Sequence, residues 1–119
     1  MSRRLDAATQ ARLLSALGSL LEQARQQRRT LGYLEVADLL AVPGPHRIHK
    51  TTRLIEILLK QEIEQGITPR TAVIVSRTGT GRPAAGYFDR AQRLGLFDGV
   101  NPEAFHDGLL EELFKTRGP

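Results

Sequence analysis

The chain has 119 residues, with 17 Lys and Arg against 13 Asp and Glu, and no Cys. That length fits a single domain spanning residues 1–119. Hydrophobic residues at 40% and charged residues at 25% match a folded globular chain, which excludes wholesale disorder. The absence of Cys excludes disulfides, thiolate metal sites and a cysteine nucleophile, and a formal net charge of +4 favours a polyanionic partner only weakly.

Aromatic residues make up 5% and Trp is absent, so the core is expected to be aliphatic. Residues 5–28 read as the first helix, because Leu13, Leu14, Leu17, Leu20, Leu21 and Ala24 recur at spacings of three and four. Its stripe predicts core packing or, alternatively, a homodimer contact through this N-terminal helix. No apolar signal core follows Arg3 and Arg4. The longest apolar runs are four or five residues, far below the ~20 that cross a bilayer. The expectation is a cytoplasmic chain with no membrane partner.

A short second helix is predicted over 30–40, with Thr30 or Gly32 as its cap. Val42-Pro43-Gly44-Pro45 ends it, because proline lacks a donor and fixes φ. Pro45 suits the start of a third helix, 45–65, which buries Ile48, Ile55, Leu58, Leu59 and Ile63 and ends at Gly66. The β-branched run at 71–76 predicts a strand. Arg77 to Pro83 is then a glycine-rich loop, and 84–87 returns as a second strand to close a β-hairpin. A short helix over 88–94 ends at Gly95. A last one over 102–116 starts on an Asn101 cap with Pro102 in its first turn and buries Phe105, Leu109 and Leu113. No internal repeat or linker interrupts the chain.

The fold class expected is mainly α with a small β-hairpin, in the order of a winged helix-turn-helix with extra N- and C-terminal helices. In that arrangement the third helix enters a DNA groove and the loop lies on the backbone as a wing. On the third helix His46, His49, Lys50 and Arg53 fall at spacings of three, one and three, with Arg47 beside them. Cations there oppose the positive end of the helix dipole, so helix stability does not explain them, whereas phosphate contact does. Arg77, Thr78, Thr80 and Arg82 give the wing loop the same character. The charge is also uneven along the chain: residues 66–95 carry five basic side chains against Asp89 alone, while residues 96–119 are mostly acidic.

Other chemistry is poorly served. His46 and His49 stand one helical turn apart, but a closed zinc site wants four ligands. Arg77-Thr-Gly-Thr-Gly-Arg82 lacks the Gly-Lys-Ser/Thr ending of a P-loop. Ser76 has no evident base, and Glu103, Asp107, Glu111 and Glu112 read as a solvated helix face. The expectation is a non-enzymatic protein without cofactor or metal. Its partner would be double-stranded DNA, bound by the helix-turn-helix over 33–60 and the loop over 77–83. A protein–protein interaction or dimerisation module is the alternative.

The stretch from Tyr33-Leu-Glu35-Val-Ala37 to Pro43-Gly-Pro-His-Arg47 resembles the helix-turn-helix of DNA alkyltransferases and alkyltransferase-like proteins. There a Tyr-x-Glu-Leu-Ala phrase leads to a proline and, four residues later, an arginine. The resemblance implies that Tyr33 presses on a DNA phosphate and that Arg47 enters the minor groove beside an extruded base. The family's Pro-Cys-His-Arg segment has no counterpart here, so alkyl transfer is excluded. Residues from Ile67-Thr-Pro69 through Gly81-Arg-Pro83 to Gly86-Tyr87-Phe88 also resemble a small bacterial module of mobile-element and restriction-type proteins.

Overall fold

A computed structural model describes residues 5–115. Helix α1 (Ala7–Gln26) is capped by the Asp6 carboxylate, which accepts from the Thr9 amide at 2.7 Å. It buries Leu13, Leu17, Leu21 and Ala24, the predicted stripe, with Leu14 and Leu20 half-covered at its margins. That stripe is used within the chain, against the helices at Arg47–Glu64 and Pro102–Lys115 and the 3-10 turn at Arg70–Val73. The same helix buries Arg25, whose guanidinium pairs with Glu22 and holds that carboxyl well below its usual range, at about 2.

Strand β1 (Leu31–Gly32) runs directly into α2 (Tyr33–Leu39), and the first helical turn is secured by Glu35 accepting from the Gly32 amide at 3.1 Å. Helix α3 (Arg47–Glu64) packs against α2 and buries Leu54, Ile55, Leu58 and Leu59. Gly66 closes it at φ +71°, a left-handed conformation that suits glycine, with the Ile67 amide reaching back to the Glu62 carbonyl.

The β-branched run at 71–76 takes two forms. Arg70–Val73 is a 3-10 turn and only Ile74–Val75 is a strand, β2. The expected hairpin is not formed. β2 pairs in parallel with β1, Leu31 opposite Ile74 and Gly32 opposite Val75. The predicted returning strand at 84–87 is instead the start of α4 (Ala85–Arg93). The reason lies in the available donors: Pro83 has no N–H, and the Ala84 N–H is taken by the Tyr33 hydroxyl at 2.9 Å. Helix α5 (Pro102–Lys115) begins as the sequence suggests, with the Asn101 side chain accepting from the Ala104 amide at 3.1 Å.

The core is aliphatic where α1, α2 and α3 meet, but α4 and α5 are joined by rings. Phe97 stacks on Phe105 at 4.5 Å, and Phe88 meets Phe97, Phe105, Tyr87 and His106 at tilted or edge-on angles. Ile48 is a second correction: 45% exposed, it lies on the open side of α3.

One buried carboxylate joins α3 to the 3-10 turn that leads into β2. Glu62 is 1% exposed and accepts from the Arg70 amide at 2.8 Å and the Thr71 amide at 3.4 Å, with the Arg70 guanidinium at 3.5 Å. Burial raises its pKa against these bonds. Replacing Glu62 with Ala strands two buried N–H groups and opens a void. The expected loss in urea unfolding is about 2–4 kcal/mol; a loss below about 1 kcal/mol would contradict this role.

Candidate functional site

The turn between α2 and α3 is built around Arg47. Its Nε donates to the Val42 carbonyl at 2.7 Å, one terminal nitrogen donates to the Ala37 carbonyl at 3.0 Å, and the other pairs with Asp38 at 2.9 Å. This planar fork sits on the carbonyl end of α2, where a cation is favoured. Helix stability therefore does account for Arg47, although through α2 rather than through α3. The same turn contains the cis Gly44–Pro45 bond and two non-glycine residues in the left-handed region, Ala41 at φ 52° and His46 at φ 61°.

The remaining Lys, Arg and His residues of this segment divide into two groups. Lys50 is 6% exposed and donates from Nζ to the Pro43 carbonyl at 3.1 Å. His46, His49 and Arg53 are exposed, and their side chains make no hydrogen bond or ion pair with another described residue. All four line one concave surface of about 560 Å³ at the start of α3, with Gln10 of α1 opposite and Leu54 at its base. The shared face expected from spacing is thus formed, with Lys50 as its buried member.

A second groove, about 550 Å³, lies on the other flank of α3. Tyr33, Leu34, Glu35, Ile48 and Thr52 form its helical wall, and Arg77 and Thr78 line it from the loop. Tyr33 is half-buried, and its hydroxyl fixes the end of the loop through Ala84 while its own proton is not used in that bond. Burial is the main reason its pKa is raised, so it stays a neutral donor.

The loop itself is closed and anchored. The Ser76 amide donates to the Arg82 carbonyl at 2.8 Å and the Gly81 amide to the Ser76 carbonyl at 3.0 Å. Arg77 donates to the Thr30 carbonyl at 2.7 Å and lies 3.5 Å from Glu35, yet remains about half exposed. Thr78 and Thr80 are exposed, and the Thr80 hydroxyl accepts from the Arg82 amide at 3.1 Å. Arg82 points the other way, into α5, where it meets the Glu103 carbonyl, His106 Nδ1 and the Asp107 carboxylate. So the loop offers Arg77, Thr78 and Thr80 outward, while Arg82 secures it from beneath.

His106 carries no signal of a buried role in the sequence, because nothing in its spacing separates it from the acidic residues around it. It is 1% exposed, with Nε2 at 2.8 Å from the Ala72 carbonyl. A carbonyl can only accept, so Nε2 carries the proton and Nδ1 is left to accept from Arg82. Burial lowers its pKa, and the neighbouring Arg82 charge adds to this.

Among the described residues no three His, Asp or Glu side chains come together as a metal site, and no helix is long and apolar enough to cross a membrane. No family model, curated protein or solved structure matches the chain.

Because His106 binds protons less readily folded than unfolded, stability from this group is present at neutral pH and declines as pH falls below the ordinary histidine value of 6.5. The urea midpoint should drop between about pH 7.5 and 5.5, and His106→Gln should flatten that dependence. A wild-type midpoint that does not move over this range would contradict it.

Proposed function

We propose that the chain is a non-enzymatic, winged-helix-like protein that binds double-stranded DNA. The observation that carries this reading is the surface around the first two turns of α3. The side chains of His46, His49 and Arg53 stand there exposed with no partner among the described residues, over a concavity that no described carboxylate lines. Thr52 and Ile48 continue the surface across α3 to the groove that Arg77 and Thr78 border. The Arg53 guanidinium and two imidazoles with hydrogen-bonding capacity to spare are what a phosphate backbone engages. The parallel β1–β2 pair and the anchored loop hold that helix and the wing in fixed relation, which favours one register on the duplex.

Arg47 contributes indirectly in this reading, by fixing the turn, while Tyr33 holds the wing and keeps one donor for a phosphate. The likeness of residues 33–47 to the alkyltransferase helix-turn-helix agrees with the partner. With no Cys in the chain, the binding is without alkyl transfer.

Leu34 at 57%, Leu39 at 59% and Ile48 at 45% exposure favour a second reading, a protein partner on the same side. The two readings separate in one experiment. If about four or five side chains meet phosphates, log K for duplex falls against log salt with a slope near −4. Arg53→Ala should reduce that slope by about one and weaken binding uniformly across sequences. No duplex binding at about 50 mM salt, with concentration-dependent self-association instead, would replace the DNA reading with the protein one.

A further inference from the structure

The concavity at the start of α3 has a chemistry of its own. Buried charges are normally paired with an opposite charge. Lys50 is 6% exposed, yet its ammonium meets a single acceptor, the Pro43 carbonyl, and no carboxylate. An ammonium carries three donors, so two of them lack a described protein partner. The rings of His46 and His49 and the Arg53 guanidinium open on the same space, and Gln10 adds an amide from α1. The pocket is assembled from the N-terminal segment and α1, through Leu5 and Gln10, and from the start of α3, and every described polar side chain that lines it can donate a hydrogen bond.

We propose that this cavity is a phosphate-binding site. A tetrahedral oxyanion supplies what the pocket lacks, namely negative charge and acceptors spread over several directions, matched to donors that converge from several directions. The site shares His46, His49 and Arg53 with the surface proposed for DNA, and it goes further by naming the group that enters and the buried lysine that meets it. The phosphate is carried either on a nucleic-acid backbone as a diester or on a free nucleotide as a monoester; the pocket chemistry is common to both.

The test uses the whole wild-type chain in a phosphate-free buffer, following the ring C–H signals of its three histidines by NMR. Inorganic phosphate, against sodium chloride at equal ionic strength, should shift His46 and His49 along a saturating curve. His106, which is buried against Ala72 and Arg82, should not follow it. Lys50→Met keeps the apolar stem and removes the ammonium, and should weaken phosphate binding about tenfold or more. No saturable shift in the wild type, or an unchanged affinity in a folded Lys50→Met, would overturn the site.

Adenosine monophosphate and a short duplex lacking terminal phosphates then identify the carrier, as the one that displaces inorganic phosphate while moving the same two histidines. Displacement by neither overturns the site as a pocket for phosphorylated ligands. Duplex binding without any response of His46 and His49 to phosphate ends the pocket and leaves the DNA reading in place. A phosphate response without duplex binding does the reverse.

Discussion

The geometry of the surface depends on one guanidinium. Arg47 reaches back across the turn and satisfies the Val42 and Ala37 carbonyls while pairing with Asp38. It therefore fixes where α2 ends and how α3 departs from it, through a rigid fork that a lysine could not reproduce. The turn also carries Ala41 and His46 in the left-handed region, a conformation that needs support from the surrounding structure. Everything placed on the first two turns of α3, including His49, Thr52 and Arg53, inherits its position from this contact.

The basic residues divide between holding the structure and facing solvent. Arg25, Arg47, Arg70 and Arg82 are used on carbonyls and carboxylates, joining α1, the turn, the 3-10 segment and the loop to their neighbours. What remains exposed near α3 is a smaller set, but it is concentrated, and no carboxylate lines the concavity it borders. The net charge of +4 is a poor guide to this, because it averages cations already neutralised in place with cations that are not. The acidic C-terminal stretch is part of the same division: Glu103 and Asp107 hold Arg82 through a carbonyl and a carboxylate, so α5 steadies the loop from behind.

Periodicity made the helices legible. The stripe on α1, the proline-bounded turn and the Asn101-Pro102 start of α5 are all local signals, and all are present in the fold. Strand pairing was not legible, because it depends on which donors are free in three dimensions. Residues 84–87 have the composition of a return strand, but Pro83 and the Tyr33–Ala84 bond remove the N–H groups that a hairpin would need. Ile48 misled for a related reason: it lies on the margin of the apolar stripe of α3, and α2 and the loop leave that margin open. The shared face of His46, His49, Lys50 and Arg53 was readable from spacing alone. Which of them would be free was not, since the Lys50–Pro43 and Arg47–Ala37 contacts are made across a turn whose path the sequence does not specify. The burial of Glu62 and His106 was not legible, because a buried polar residue on a helix looks in sequence like any exposed one.

The most direct measurement of the central claim is the map of backbone amide shifts when a short duplex is titrated into isotope-labelled protein at low salt. The account predicts that the perturbed residues cluster at 46–53 and 76–80, that they recover together as salt is raised, and that the outer face of α5 stays unmoved. Perturbations confined to α2 around Leu34 and Leu39, or none at saturating duplex, would contradict it.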